Sequence, residues 1–260
     1  MASLIDVKTV DNHIAVVTLN RPAARNALSR ALLSELYTVI KDIDEDSSIH
    51  CTILTGSGTK AFCAGADLKE RKGMPDAEVI GCVEQIGDVV STIERMKMPV
   101  IALINGAAFG GGLELALGCD IRLAASHSKM GLTETSLAII PGAGGTQRLP
   151  RLIGMGKAKK MIFSATALSA EEGLEVGLID EMLNTDDLLE SALQLARKIA
   201  ANGPIALRQA KTAVNHGSEM ALQNALIFER QCYKETIPTE DRMEGLIAFQ
   251  EKRKPDYRGK

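Results

Sequence analysis

The residues with the clearest chemical potential are three consecutive glycines at 110–112 and the glutamate that follows them, Glu114. An apolar run at 99–104 precedes them, and 113–117 is rich in good helix formers, so the segment predicts a strand, a bare turn and a helix. The first N–H groups of a helix lack partners within it and suit an oxygen that carries negative charge. Glu114 lies three residues beyond Gly111 and shares a helix face with it. The turn thus offers an oxyanion donor beside a carboxylate, although glycines used only for close packing are an equal interpretation.

A second segment has small residues where a ligand can approach the backbone. Ala64, Gly65 and Ala66 carry almost no side chain, and Asp67 after them can cap a short helix. An ordinary connecting turn is an equal alternative for this stretch. The charged run at 69–72, which follows, is typical of a solvated segment.

A third segment combines an acidic residue with another glycine-rich loop. Glu134 precedes the loop at 141–145, which offers a bare N–H at Gly142. The loop lacks the Gly-Lys-Ser/Thr ending of a phosphate-binding P-loop and the final glycine of a dinucleotide fingerprint. Nucleoside triphosphates and NAD are therefore weak candidates as ligands, and Glu134 is also explained as a helix-start residue.

The elements that must position these groups alternate between strands and helices. Ser29 predicts the N-cap of a helix that runs to about Asp44, and 77–96 predicts a second helix. Apolar, β-branched runs predict strands at 4–10, 14–19, 51–54, 99–104 and 121–125, the first two joined by an Asx turn. This alternation predicts an α/β layered domain.

The carboxyl-terminal part is mostly helical by pattern. Ser169 and Glu172 match a capping box, and 176–180 indicates a short edge strand. Amphipathic helices are predicted at 186–201, 204–214, 219–235 and 239–252. Their apolar faces exceed what a small core needs, so we expect either self-association or docking on the main domain.

Composition limits the class of protein. The chain has 260 residues and a net charge of −3, which argues against a general nucleic-acid-binding protein with its basic excess. The five cysteines form no C-x-x-C pair and lie mostly in apolar surroundings, which favours reduced thiols and a cytoplasmic location. No histidine spacing fits a metal site, and no apolar run is long enough to span a membrane.

Several motifs in a fixed order resemble the crotonase, or enoyl-CoA hydratase/isomerase, family. They are Asn20-Arg-Pro with Asn26-Ala-Leu28, Phe62-Cys-Ala-Gly-Ala-Asp67, Asn105-Gly with Gly110-Gly-Gly-Leu-Glu114, Pro141-Gly-Ala-Gly-Gly-Thr-Gln-Arg-Leu149, and Ala248-Phe-Gln-Glu-Lys-Arg-Lys254. The set covers essentially the whole chain and is far more specific than any single piece. The resemblance implies an α/β spiral of ββα units, with a helical carboxyl-terminal region that builds trimers, commonly paired into hexamers. It implies a core at 1–195 that carries the active site, and a region at 196–260 for oligomerisation and active-site cover.

The resemblance also implies the site residues. The N–H groups of Ala66 and Gly111 would bind a thioester oxygen, Glu114 and Glu134 would transfer protons, and Gly142 would help to hold a water. The residues expected along coenzyme A are Arg25, Ala64, Ala66, Asp67, Leu68, Lys69, Gly111 and Lys252. Coenzyme A enters only as part of the acyl-CoA substrate, and no metal or separate cofactor is expected.

The activity implied is the addition of water to a 2-enoyl-CoA, which gives a 3-hydroxyacyl-CoA. This reaction puts negative charge on the carbonyl oxygen, and loss of one fixed donor to such an oxygen costs about 3–4 kcal/mol of barrier. We expect Glu114 to be the base on water and Glu134 the donor to the α-carbon, with the reverse open because both would contact one water. The glutamate pair favours hydration over isomerisation, since the family's isomerases typically keep one. Hydrolysis of acyl-CoA, hydration of methylglutaconyl-CoA and a non-catalytic acyl-CoA- or RNA-binding scaffold are the alternatives.

Overall fold

The amino-terminal strands form the predicted hairpin in a computed structural model that describes residues 3–184 and 187–260. Strands β1 (Ile5–Val10) and β2 (Ile14–Leu19) pair antiparallel. Asp11 and Asn12 between them have φ values of 51° and 63°, the left-handed turn conformation that matches strand twist. The expected hairpin is therefore confirmed.

The larger sheet is the centre of the fold. Its remaining strands are β3 (Cys51–Gly56), β5 (Val100–Ile104), β7 (Ile121–Ala125) and β10 (Glu181–Leu183). Its order is β1-β2-β3-β5-β7-β10, and every pair after the hairpin is parallel. Strands β3 and β5 are buried along their whole length, because apolar clusters cover both faces of the sheet.

A smaller sheet lies beside the larger one. Its strands are β4 (Ala61–Cys63), β6 (Ala107–Phe109), β8 (Lys129–Gly131) and β9 (Leu168–Ser169), in the order β4-β6-β8-β9. The first three are parallel and the last pair is antiparallel. Strand β6, just before the predicted glycine turn, was not predicted because a three-residue strand leaves too little periodicity to detect.

Eleven α-helices are described in residues 3–184 and 187–260. They are α1 (Arg30–Glu45), α2 (Leu68–Arg71), α3 (Asp76–Glu94), α4 (Gly111–Leu117), α5 (Gly145–Ile153), α6 (Met155–Ser164), α7 (Ala170–Val176), α8 (Leu188–Ala200), α9 (Pro204–Gly217), α10 (Leu222–Thr236) and α11 (Glu240–Glu251). The Ser29 side chain accepts a hydrogen bond from the N–H of Leu32 at 3.3 Å, and Ser169 with Glu172 forms a complete capping box. Both predicted helix starts are confirmed.

The two sheets are built from repeated ββα units. In each of the pairs β3–β4, β5–β6 and β7–β8, the first strand joins the large sheet and the second joins the small sheet. Helices α2 and α3 follow the first unit, α4 the second and α5 the third. The chain therefore advances as the spiral of ββα turns that the sequence resemblance implies.

Two element boundaries differ from prediction. The edge strand expected at 176–180 is wrong, because Gly177 with a φ of 83° ends α7 there and the strand begins only at Glu181. Helix α4 begins at Gly111 rather than Leu113, so two glycines occupy its first turn.

The carboxyl-terminal region is helical as predicted, and α9 packs against α10. The predicted start of one helix at residue 186 lies outside the described residues, and the expected division after residue 195 falls inside α8. Large apolar side chains remain exposed on this region, among them Val214, Leu222, Ile227, Tyr233 and Phe249. No helix in the described ranges is both long and apolar enough to cross a membrane.

Candidate active site

Three neighbouring strands of the small sheet bring the predicted site together. Strands β4, β6 and β8 are adjacent and parallel, so their carboxyl ends lie at one edge. Ala66 follows β4, Gly111 follows β6 and Glu134 follows β8. Ligands of α/β sheets commonly bind outside the carboxyl ends of strands, and the topology explains why residues far apart in sequence meet here.

The backbone segments at Ala66 and Gly111 lie against each other. A Cβ atom at Gly65 would lie 2.7 Å from the Phe109 carbonyl oxygen and 3.5 Å from the Gly111 nitrogen. Leu28 donates to the Gly65 carbonyl at 2.8 Å and accepts from the Asp67 N–H at 3.1 Å, so these bonds lie on either side of Ala66. A parallel bridge of this kind turns the N–H of Ala66 away from Leu28.

The glycine run has both a geometric and a packing role. Gly110 has a φ of 51° and begins the turn into α4, a conformation that L side chains rarely adopt. A Cβ atom on Gly112 would overlap the carbonyl oxygen of Cys63, so this glycine lets α4 approach β4. As the first residue of α4, Gly111 has an N–H that the helix itself cannot satisfy. Both interpretations of the glycines therefore apply, at different positions.

Glu114 is buried at 3% exposure and is fixed by backbone donors. Its Oε1 accepts hydrogen bonds from the N–H groups of Ala143 and Gly145, each at 2.8 Å. Burial raises the pKa of Glu114, and those two N–H groups, Arg148 and Arg71 oppose the rise. Because both bonds within the described chain go to Oε1, Oε2 can accept from a bound water.

Glu134 lies against the turn that begins α4. It is the first residue of a 3₁₀ turn, Glu134–Leu137, and its Oε1 would be 3.0 Å from a Cβ atom at Gly110. Its buried Oε2 has no hydrogen-bond partner among the described residues. Burial raises the pKa of Glu134 to about 7, the negative charge of Glu114 adds to the rise, and the residue's own N–H opposes it. Near neutral pH this carboxyl can therefore both hold and release a proton.

The loop after the 3₁₀ turn supplies the donors to Glu114, but from residues that the sequence did not indicate. Gly142 lies in this loop, where a Cβ atom would be 2.5 Å from Cγ1 of Val83, so a glycine is needed for packing. The observed donors are the N–H groups of Ala143 and Gly145, immediately after it. Gly145 begins α5, so the rule that first-turn N–H groups are unsatisfied would have found one of them.

Arg148 holds the same loop in place. Its guanidinium binds both carboxylate oxygens of Glu94, at 3.0 and 2.6 Å, and the Ala143 carbonyl at 3.2 Å. The bidentate pair fixes the orientation of the guanidinium. Arg148 therefore positions the peptide whose N–H reaches Glu114, a role that the sequence analysis missed.

Some residues expected along coenzyme A form hydrogen bonds within the chain, whereas others have exposed side chains. The Ala64 N–H donates to the Arg25 carbonyl at 3.0 Å, whereas the side chains of Arg25, Leu68 and Lys69 are exposed. The contacts within the described ranges do not join Lys252, the exposed C-cap of α11, to this group.

Asp67 caps α2, as predicted. Its Oδ1 accepts from the N–H groups of Lys69 and Glu70, and its Oδ2 from Arg21 at 3.0 Å. Burial raises the pKa of Asp67, but the hydrogen bonds from Arg21, Glu70 and Lys69 outweigh it and hold the pKa below its usual value. The carboxylate therefore fixes the loop that carries Ala66.

Metal binding has no support from clustering of side chains. Across residues 3–184 and 187–260, no group of three or more His, Cys, Asp or Glu side chains lies close enough to hold an ion. The five cysteines are all buried and unpaired, which confirms the predicted free thiols.

The spiral of ββα units, with the two glutamates beside the carboxyl ends of the small-sheet strands, is the arrangement of a crotonase-type fold. A family model described as enoyl-CoA hydratase/isomerase matches residues 9–260. The chain belongs to this family. It is 50% identical to methylglutaconyl-CoA hydratase of Mus musculus, over 95% of this chain and 80% of that protein. It is 43% identical to short-chain-enoyl-CoA hydratase of Clostridium acetobutylicum, over 94% of each.

A solved structure is similar over nearly its full length. Enoyl-CoA hydratase from Bacillus anthracis superposes with a TM-score of 0.98 at 50% identity, covering 99% of this chain and 100% of that one. The family and the crotonase fold predicted from the sequence are both confirmed.

Proposed function

We propose that this protein is a hydro-lyase that adds water across the 2,3 double bond of 2-enoyl-CoA thioesters. The observation that carries the proposal is a pair of carboxylates, the buried Glu114 and the half-buried Glu134, beside the backbone N–H groups of Ala66 and Gly111. A hydratase needs a base for water, a proton for the α-carbon and donors for the carbonyl oxygen. Glu114, Glu134 and the two N–H groups are the candidates for these three roles.

In the proposed reaction, Glu114 removes a proton from water as the water oxygen bonds to C3. The electrons of the double bond move toward the thioester, and the N–H groups of Ala66 and Gly111 stabilise the charge on its oxygen. Glu134 then gives its proton to C2, and the product is a 3-hydroxyacyl-CoA. The raised pKa of Glu134 supports its role as acid, and the two N–H donors that fix Glu114 support its role as base.

We assign coenzyme A binding to the loop before α2 and to the first residues of that helix. We propose that Ala64, Ala66, Leu68 and Lys69 lie along the ligand, with Asp67 holding the loop in shape. Arg25 and Lys252 are proposed near the nucleotide end. The Gly142 N–H is proposed to help hold the water, beside the two donors already bound to Glu114. Water addition transfers protons without any change in oxidation state, so we propose that no metal or separate cofactor is needed.

The test is loss of enoyl thioester absorbance on addition of crotonyl-CoA. We expect Glu114→Gln and Glu134→Gln each to slow hydration by about 10²–10⁴-fold, because each removes one proton-transfer group. Glu84→Gln, an exposed position on α3, is the matched control and should retain the native rate. A native protein that binds CoA but hydrates no enoyl-CoA would overturn the proposal in favour of isomerisation, thioester hydrolysis or a non-catalytic scaffold.

A second candidate activity is the hydration of methylglutaconyl-CoA. It is favoured by the 50% identity to a protein named methylglutaconyl-CoA hydratase, above the 43% to a short-chain enzyme. Both activities use the same acid–base pair, so they differ only in the acyl chain that is accepted. A comparison of kcat/KM for crotonyl-CoA and methylglutaconyl-CoA separates them.

We further propose that the protein assembles as a trimer or a pair of trimers in a reducing, cytoplasmic setting. The exposed apolar side chains of α9, α10 and α11 support assembly, because contiguous exposed apolar surface usually marks an interface. The five unpaired cysteines support the reducing compartment.

A further inference from the structure

Arg71 differs from its neighbours in the charged segment at 69–72. Lys69, Glu70 and Lys72 are exposed, whereas Arg71 is half-buried at the end of α2. Its N–H donates to the Asp67 carbonyl at 3.1 Å, and its carbonyl accepts from the Met74 N–H at 3.1 Å. The expectation of a solvated segment is therefore wrong at this position, where the side chain is half-buried.

The segment that carries Arg71 adjoins the two loops that hold the proposed catalytic groups. Helix α2 begins two residues after Ala66, and the sulfur of Met74 contacts that of Cys82 on α3 at 3.9 Å. Val83, the next residue of α3, lies against Gly142. The segment with Arg71 therefore borders the space between the Ala66 loop and the Gly142 loop. The positive charge of Arg71 is close enough to lower the pKa of Glu114, as that of Arg148 also does.

These two arginines differ in what neutralises them. Arg148 is held by both oxygens of Glu94 and by the Ala143 carbonyl. The side chain of Arg71 makes no ion pair or hydrogen bond with any residue in the described ranges. A guanidinium that is half-buried beside an active site, with no partner of its own among the described residues, can form a bidentate pair with an anionic group on the ligand.

The chemistry of the proposed substrate indicates where an anionic group of the ligand would lie. Water adds at C3, next to Glu114, and a carboxylate joined to C3 through one methylene would extend beyond the reacting carbons, away from the thioester. There it would be repelled by the negative charge of the two glutamates unless a nearby cation compensated for that charge. We propose that Arg71 binds this second carboxylate, so that the preferred substrates are 2-enoyl-CoA thioesters whose acyl chain ends in a carboxylate. The inference rests on the proposed function for the identity of the reacting carbons.

Binding of saturated thioesters tests the inference without requiring turnover. Glutaryl-CoA and butyryl-CoA differ only by the terminal carboxylate, and their Kd values are measured by calorimetry for the native chain, Arg71→Gln and Arg71→Lys. We expect the native protein to prefer glutaryl-CoA and Arg71→Gln to lose about 10- to 100-fold of that preference, the usual worth of a charge-assisted hydrogen bond. Arg71→Lys should restore part of it.

Lys72→Gln is the matched control, because it removes the same charge from an exposed neighbour. It should keep the native preference for glutaryl-CoA over butyryl-CoA. Thermal unfolding of each variant tests whether folding is retained. The same comparison is made for hydration with crotonyl-CoA and glutaconyl-CoA and with their 3-methyl derivatives.

The outcomes separate the inference from the function. Equal weakening of glutaryl-CoA and butyryl-CoA by Arg71→Gln would mean that Arg71 contacts the CoA moiety, and no preference in the native protein would also overturn the inference. A carboxylate preference that depends on Arg71, in a protein that hydrates none of the enoyl thioesters, would support the binding site and overturn the hydratase proposal.

Discussion

At the scale of single residues, the site places two carboxyl groups in different surroundings. Glu114 is held by two backbone N–H groups, whereas the buried Oε2 of Glu134 has no partner within the described chain. Burial and the neighbouring charge raise the pKa of Glu134 to about 7. A carboxyl whose pKa is raised toward neutrality in this way is typical of a group that transfers protons in an active site.

This difference predicts an effect of pH on stability. Because the pKa of Glu134 is raised from 4.5 to about 7 on folding, the folded state retains its proton longer, and stability falls as pH rises through that interval. Glu134→Gln removes the ionisation. We expect it to raise the free energy of unfolding by roughly 2 kcal/mol at pH 8.5 and by much less at pH 5.

Chemical denaturation at both pH values measures this effect. Glu84→Gln, the exposed control on α3, should give no comparable gain at pH 8.5. A variant Glu134→Gln that is less stable than the native protein at pH 8.5 would contradict the raised pKa.

At the scale of elements, the close approach of α4 to β4 positions the backbone N–H groups proposed as oxyanion donors. Gly112 packs directly against the Cys63 carbonyl, and Gly65 packs against the Phe109 carbonyl. Two buried amides hold the adjacent loops: Asn105 donates to the carbonyls of Gly56 and Gly58, and Asn26 to those of Ser57 and Ala61. These hydrogen bonds satisfy the buried amides and tie the loops to the neighbouring strands.

Gly112→Ala is expected to displace α4. The added methyl group would overlap backbone that has no rotamer to change, so we expect a loss of several kcal/mol of stability, in the upper range for point mutations. Gly81→Ala on α3 is the control: no atom lies within 4 Å of its Cβ position, and helix propensity favours alanine by about 1 kcal/mol. Urea denaturation of both variants measures the difference, and equal midpoints would contradict the packing argument.

At the scale of the whole molecule, the unpartnered apolar faces belong mainly to the last helices. Phe249 on α11 is 85% exposed and Leu222 on α10 is 67% exposed. Such residues within the described chain are covered when copies associate.

Light scattering should therefore give a mass three or six times the 27.8 kDa of one chain. Phe249→Glu should lower that mass, because it places a charge in the proposed contact. Lys252→Glu is the control: it introduces the same residue at an exposed position that is already polar, so the mass should not change. A monomeric native protein at micromolar concentration would contradict the proposed assembly.

How much of the structure can be predicted from the sequence depends on the length of each local pattern. The hairpin, α1 with its Ser29 cap and the long strands were predictable because periodicity and capping act locally. Strands β4, β6 and β8 are three residues each and were not, yet they bring Ala66, Gly111 and Glu134 to one edge. The hydrogen bonds from Ala143 and Gly145 to Glu114 and the partial burial of Arg71 depend on tertiary contacts, which local sequence patterns do not reveal.

The repetition of ββα units has a consequence for how such a protein diverges. The groups proposed to activate water and protonate carbon follow the second and third units, whereas Arg71 follows the first. Each unit is anchored by its own strand in the large sheet. A substitution after the first unit can therefore alter which acyl group is accepted while leaving the acid–base pair in place, so new specificities can arise from an old reaction by exchange of one side chain.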